Sequence, residues 1–130
     1  MTDAPDPQTI PTPEEILTAI AKLPGGWDRD LATRLGVSEA HLVASKVGEG
    51  ATRIEAHPDR IIQSVMRLGE VMALTRNDSC VSEKDGVYDN YTPGKHAAMV
   101  LTSDIDLRIF PSHWQTAFMV EKETPKGLKR

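Results

Sequence analysis

The stretch Ile105-Asp106-Leu107-Arg108-Ile109-Phe110 defines the fold more clearly than any other part of the sequence. Its apolar and polar residues alternate, which is typical of a strand with one buried face. The three aliphatic residues share that face, whereas Asp106, Arg108 and Phe110 share the other. An arginine beside an aromatic ring can hold a flat, apolar, anionic ligand, because the ring packs on its apolar part and the guanidinium meets a carboxylate or a bound oxygen species. The alternative is a solvated face with an Arg-Asp pair.

Short segments joined by short turns surround this strand, and they predict an antiparallel meander. Asn77-Asp78-Ser79 is a turn signal, and Asp85-Gly86 predicts a tight hairpin. The other predicted strands are Val71–Leu74, Cys80–Lys84, Val87–Tyr91, His96–Leu101 and Trp114–Lys122.

The last turn, Pro125-Lys126-Gly127, leaves only Leu128-Lys129-Arg130 after it. A typical strand has roughly five residues or more. The sequence therefore predicts either that the module lacks its last strand or that these three residues fray.

Helix signals fill the first half of the chain. Thr12-Pro13-Glu14-Glu15 is a capping box, and Asp28 and Ser38 are expected to cap two short helices. A further helix begins at Pro58 or Asp59 and ends at Gly69. The expected fold class is α+β, with a flexible arm over residues 1–12 and one module over residues 13–130, made of helices 13–69 and strands 70–130.

Size and composition are those of an ordinary globular domain with one core. The chain has 130 residues, of which 39% are hydrophobic and 26% are charged, and a net charge of -4. That charge gives no general attraction to nucleic acid or to an anionic membrane. The sequence has neither a run of membrane-spanning length nor a signal peptide, so we expect a cytoplasmic protein. Cys80, the single cysteine, is expected to be buried rather than reactive.

Residues 29–42 resemble a helix-turn-helix, which suggests DNA binding as an alternative function. A helix that reads DNA needs Arg, Lys, Asn or Gln near its N-terminus, whereas here the second helix offers Glu39, Ala40 and His41. We therefore expect nucleic acid not to be a partner and interpret the corner as structural.

The four histidines, at positions 41, 57, 96 and 113, show no metal-ligand spacing. We expect His57 to lie at a helix start. His96 follows Gly94-Lys95 at the mouth of a predicted strand, which is a better place for a ligand.

Several separated blocks make the chain from Arg29 onward similar to the bacterial hemin-degrading (HemS-type) family. The longest blocks lie in the helical half and in the Arg108 strand, and Trp114 and Gly127 follow in the family's order. The matching blocks are Arg29–Ala32, Leu35–Ala40, Arg76-Asn77, His96-Ala97, Asp106–Phe110 and Glu121–Glu123.

The resemblance implies one copy of an α+β unit that the family carries in tandem, with haem as the ligand in a cleft between sheet and helices. Arg108 matches the family's distal arginine, Phe110 lies beside it, and His96 matches a histidine in the Gly-Lys-His-Ala turn. The family's proximal histidine belongs to a segment leading into the second copy, which this chain lacks. The implied function is intracellular haem and iron transport, with haem degradation in some members. Single-unit relatives pair as homodimers, so a homodimer is a further expectation. A third hypothesis is a fragment that folds without activity.

Overall fold

A computed structural model describes residues 10–23, 25–124 and 126–129. The chain divides into two compact units. The helical unit comprises the residues up to Ile54 and those from Phe118 onward, and the sheet unit comprises Glu55–Ala117. Among the described residues, the buried hydrophobic side chains other than Ala51 form two clusters, one in each unit. Most of the predicted arm, residues 1–9, lies outside the described residues.

The helical unit contains α1 (Pro13–Ala21), α2 (Asp28–Leu35) and α3 (Glu39–Ser45). Two of the predicted caps are confirmed: the Thr12 hydroxyl accepts a hydrogen bond from the Glu15 amide at 3.2 Å, and the Ser38 hydroxyl accepts one from the His41 amide at 3.1 Å. These bonds satisfy amides that have no partner within the helix. The helices enclose a buried cluster made of Ile16, Leu31, Ala32 and Leu42.

The predicted cap at Asp28 is wrong. Trp27 occupies the N-cap position of α2 without a side-chain hydrogen bond, and Asp28 is the first helical residue. Its carboxylate instead pairs with the ammonium of Lys46, the C-cap of α3, at 2.9 Å. Because that charge comes from another helix, the local cap signal did not reveal it. Gly36 ends α2 at a φ of 70°, as predicted.

A strand interrupts the half of the chain that was predicted to be helical. β1 (Ala51–Ile54) follows α3 and pairs with β7 (Ala117–Val120). At the edge of this pair the Glu121 amide donates to the Gly50 carbonyl at 2.7 Å. The partner strand is distant in sequence, so no local pattern marked β1. Of the two outcomes predicted for the chain end, fraying of Leu128–Arg130 is wrong for Leu128 and Lys129, because Gly127–Lys129 forms β9 and pairs antiparallel with β8 (Lys122–Thr124). Arg130 lies outside the described residues.

The sheet unit begins with α4 (Pro58–Val65), which a 3-10 turn extends to Leu68 before Gly69. Strands β2 (Glu70–Arg76) and β3 (Val81–Val87) pair antiparallel, as do β4 (Tyr91–Thr92), β5 (Ala98–Leu101) and β6 (Asp106–Ile109), in that order. The predicted α+β class is therefore confirmed. The buried cluster of this unit consists of Ile62, Ala73, Ala98, Val100, Ile105 and Ile109.

The hairpin predicted at Asp85-Gly86 does not form, since β3 runs through both residues in register with β2. Gly86 lies opposite Val71 and is buried, and a Cβ atom there would come within 3.0 Å of the Asp104 Cβ and 3.2 Å of Ile105. This glycine therefore provides space for packing between strands rather than a turn.

The real β2–β3 turn is the predicted one at residues 77–79. The Asn77 carboxamide oxygen accepts hydrogen bonds from the amides of Ser79 and Cys80, at 2.8 and 2.9 Å. Cys80 is exposed at this turn, so the prediction of a buried cysteine is wrong. Its apolar neighbour Val81 suggested burial, but that residue is itself 55% exposed. None of the helices in the described part of the chain is long and apolar enough to cross a membrane.

Candidate functional site

Strand β6 has the two faces that its alternating sequence predicts. Ile105, directly before the strand, and Ile109 are buried in the core of the sheet unit. Asp106, Arg108 and Phe110 are exposed on the other side. The residue pattern thus places one charged pair and one aromatic ring next to a well-packed core.

A cleft of about 410 Å³ opens beside this strand, within the sheet unit. Volumes of roughly 300–1,000 Å³ are usual for small-molecule sites. Most of the lining is aliphatic or aromatic, and Arg108 carries the one fixed charge among the described lining residues. The lining consists of Ile61, Ile62 and Val65 from α4, Leu74 and Thr75 from β2, Tyr88, Leu107 to Phe110, and His113 with Trp114.

The Arg108 guanidinium forms an ion pair with the Asp106 carboxylate, two positions earlier on the same face. The two side chains are 48% and 62% exposed. An ion pair with this exposure contributes about 0–1 kcal/mol to stability. The guanidinium can therefore turn from Asp106 to an anionic ligand in the cleft at little cost, and its planar fork suits a carboxylate.

Two aromatic side chains extend the strand face beyond Arg108. The rings of Phe110 and His113 meet edge to face, with centroids 6.2 Å apart and an interplanar angle of 70°. A 3-10 turn over Pro111–His113 sets this arrangement, because the His113 amide donates to the Phe110 carbonyl at 3.0 Å. Phe110 is 50% exposed, so its ring is available to pack on a flat apolar ligand.

Two tyrosines support the cleft from the sheet side. Tyr88 lines it, and burial raises the pKa of its hydroxyl above the usual 10.0. Tyr91 on β4 donates a hydrogen bond to the Asp59 carboxylate on α4. Burial, followed by the bond to Asp59 and its charge, raises the pKa of Tyr91 strongly. This bond ties α4, which forms one wall of the cleft, to the sheet.

The structure brings together two of the three residues that the sequence predicted for the site. Arg108 and Phe110 both line the cleft. His96 is exposed before β5 and is not among the lining residues, so its role as a ligand stays a prediction.

The place of His113 in the cleft was not predicted from the sequence. A signal for it was present, because Pro111 closely follows Phe110 and favours a tight turn that folds the next residues back. The other two histidines have structural roles: His57 caps α4, as expected, and His41 contacts the Ser38 hydroxyl at 2.6 Å. Among the described residues, no group of three or more His, Cys, Asp or Glu side chains could hold a metal ion.

The α2–α3 corner that suggested DNA binding forms as a packed helix pair. Glu39 lies in the first turn of α3, where a negative charge opposes a phosphate backbone. The corner's buried residues, Leu31, Ala32 and Leu42, belong to the core of the helical unit. We therefore interpret the corner as structural.

The fold and the cleft define a class of α+β proteins with an arginine on a strand beside an apolar, aromatic-lined cleft. The chain belongs to the haemin-degrading HemS.ChuX domain family, which matches residues 36–130. The family resemblance seen in the sequence blocks is therefore confirmed.

Relatives and solved structures agree with this assignment. The chain is 38% identical over 117 residues to the hemin transport protein HmuS of Yersinia pestis and, equally, to HemS of Yersinia enterocolitica. These matches cover 89% of the chain and 34% of each relative, so the chain spans about a third of their length.

The holo form of PhuS, a heme-binding protein from Pseudomonas aeruginosa, superimposes with a TM-score of 0.81 at 36% identity, over 90% of this chain and 36% of that one. The heme degrading enzyme ChuS of Escherichia coli O157:H7 gives a TM-score of 0.80 at 27% identity, over 90% of this chain and 37% of that one.

Proposed function

We propose that this chain is a haem-binding module that serves intracellular haem and iron transport, with haem held in the cleft beside β6. The single observation that carries the proposal is the apolar cleft with Arg108 and Phe110 on one strand face. Membership of the HemS.ChuX family and the likeness to heme-binding PhuS support haem as the flat ligand.

The cleft chemistry suits a porphyrin. Each Å² of apolar surface removed from water contributes about 25 cal/mol, so packing of the macrocycle against Phe110, Trp114 and the aliphatic wall provides the main binding free energy. Arg108 supplies a charge-assisted hydrogen bond, about 1.5–3 kcal/mol, to an anionic group of the bound ligand such as a carboxylate or a hydroxide. The resemblance to the family implies that Arg108 faces the distal side of the haem.

The proposal has three further parts, which are haem degradation, a cytoplasmic location and a homodimer. Haem transport is proposed as the main role, and haem degradation is an additional prediction that requires an electron donor. We also predict a cytoplasmic location and a homodimer. Sedimentation of the protein with and without haem tests the dimer. The expected mass is twice that of one chain.

A hemin titration tests the proposal. The expected result is a saturable Soret shift at one haem per chain or per dimer. Arg108→Ala should then change the spectrum of the bound haem while lowering the melting temperature little, since its surface ion pair contributes about 0–1 kcal/mol. Arg108→Lys should not restore the spectrum fully, because an ammonium lacks the planar fork of a guanidinium.

Arg60→Ala is the matched control, because Arg60 is also an exposed, ion-paired arginine, 3.5 Å from Glu55, and does not line the cleft. It should leave the haem spectrum unchanged. A titration of the wild type in which the spectral change never saturates would contradict the proposal. A spectrum of Arg108→Ala identical to that of the wild type, or complete unfolding of this variant, would show that Arg108 does not have the role proposed.

A further inference from the structure

Arg108 has a counter-ion that its own strand supplies. The guanidinium pairs with the Asp106 carboxylate, and both side chains lie on the exposed face of β6. Arg108 lines the cleft, whereas Asp106 is not among the lining residues. The ion pair therefore lies at the rim of the cleft, where an anionic ligand meets an arginine that already has a partner.

The protein uses only part of the guanidinium. Both hydrogen bonds of Arg108 come from Nη1, one to the Asp106 carboxylate and one, at 3.4 Å, to the Leu107 carbonyl. Within the described residues, Nε and Nη2 have no hydrogen-bond partner. These two nitrogens form an edge that can bind a carboxylate through two parallel bonds. An anionic oxygen can therefore reach Arg108 while Asp106 still holds Nη1.

The neighbouring strand brings no charge that competes for Arg108. In the pairing of β5 with β6, Leu101 lies opposite Asp106 and Met99 lies opposite Arg108. Asp106 is thus the one ion-pair partner that the described residues offer to Arg108. Exchange at the guanidinium takes place between two anions, the Asp106 carboxylate and the anionic group of the ligand.

We propose that Asp106 is a positioning residue for ligand release, because its carboxylate takes back the Arg108 guanidinium as the anionic group of the ligand withdraws. The inference rests on the proposed function and deepens it, since a transport module must give up its ligand as well as bind it. A guanidinium left unpaired beside an apolar wall is less stable than a paired one, so a resident partner lowers the cost of release. Two anions near one guanidinium also repel each other, which weakens the hold on the ligand.

Transfer of hemin to excess apomyoglobin measures the release rate of the wild type, Asp106→Asn and Asp106→Glu. The asparagine keeps the size and an acceptor oxygen but loses the charge, so release should slow about two- to fivefold, as expected from loss of an exposed ion pair. The glutamate keeps the charge and should release hemin at close to the wild-type rate. Association should change less than release. The melting temperature of both variants should stay close to that of the wild type.

A double-mutant cycle shows whether Asp106 acts through Arg108. In the Arg108→Ala background, Asp106→Asn should leave the release rate unchanged, because the guanidinium that the two anions share is gone. Glu55→Gln is the matched control, since Glu55 is an exposed carboxylate paired with Arg60 at 3.5 Å and does not line the cleft. This variant should release hemin at the wild-type rate.

Metal-free protoporphyrin IX identifies the anionic group, because it has the carboxylates of hemin but no iron. Slower release of both porphyrins from Asp106→Asn assigns the group to a carboxylate, and slower release of hemin alone assigns it to an anion that only hemin carries. Either result supports the proposal.

Release from Asp106→Asn that is as fast as from the wild type, or faster, would overturn the role of Asp106. A slowing that persists in the Arg108→Ala background would overturn it as well. In both cases hemin binding still saturates and the proposed function stands. A wild type whose hemin titration does not saturate contradicts the proposed function, and this inference with it.

Discussion

The helical unit and the sheet unit build their buried clusters in different ways. In the helical unit the cluster comes from helices that follow one another closely, and large side chains such as Leu42 and Ile16 fill it. In the sheet unit the cluster includes the small residues Ala73 and Ala98, and buried Gly86 provides space beside Asp104 and Ile105. Both clusters combine large aliphatic side chains with alanine, and the sheet unit adds a glycine whose missing Cβ leaves room for Asp104 and Ile105.

The cleft that bears Arg108 and Phe110 lies in the sheet unit, where strand faces remain exposed. Strands pair edge to edge and leave open faces, whereas helices of this length turn one stripe inward and close upon it. The exposed face of β6 carries Arg108 and Phe110, whereas Ile109 on the other face is buried in the core. The proposed binding surface thus combines the exposed face of β6 with a wall that α4 supplies.

Leu42→Ala tests the filled cluster and should have the largest effect. Leu42 is 0% exposed, and removing its side chain leaves a cavity among α1, α2 and α3. The expected loss of stability is about 2–5 kcal/mol. Denaturant unfolding measures it, and amide exchange should rise throughout these three helices. The exposed neighbour Ala40 gives a control, since Ala40→Ser should change stability little. Unchanged exchange in α1 to α3 would contradict the core assigned to this unit.

Gly86→Ala tests the space in the sheet unit, and the expected cost is about 1–3 kcal/mol from overpacking against Asp104 and Ile105. Gly36 is the matched glycine, because it has open space around a Cβ but a φ of 70°. Gly36→Asn should therefore be milder than Gly36→Ala, since asparagine tolerates the left-handed region. Gly86→Asn should be worse than Gly86→Ala. Thermal denaturation measures the stability of all four variants. If the same residue, Ala or Asn, is the less destabilising one at both positions, then space at Gly86 and backbone conformation at Gly36 are not separate requirements.

Tyr91→Phe should have the smallest effect, and it depends on pH. Because the folded state raises the pKa of Tyr91 above 10.0, the unfolded chain loses this proton first, and stability should fall as the pH rises above 10. Removing the hydroxyl should lower stability at neutral pH by about 1 kcal/mol and weaken the alkaline loss. Tyr88→Phe should weaken the alkaline loss with a smaller change at neutral pH. Unfolding curves at pH 7 and pH 11 measure both, and an unaltered pH dependence in Tyr91→Phe would contradict the role of the bond to Asp59.

Predictions from the sequence were correct where the interacting residues are close together in the chain. Caps at Thr12 and Ser38, the glycine stop at Gly36 and the alternation of β6 depend on residues within one turn or one strand, and all four are confirmed. Errors occurred where a distant partner decided the outcome. β1 forms because β7 pairs with it, and Asp28 meets Lys46 instead of capping its own helix.

The same division holds for the candidate site. The sequence by itself determined the α+β class, the family and the strand face that bears Arg108 and Phe110, because period-two alternation and the separated blocks are properties of the chain order. Only the tertiary structure decided that α4 and His113 join that face, that His96 lies elsewhere, and that Gly86 continues a strand. The physical reason is that a cleft and a buried glycine are defined by what approaches from distant parts of the chain, and no local pattern carries that information.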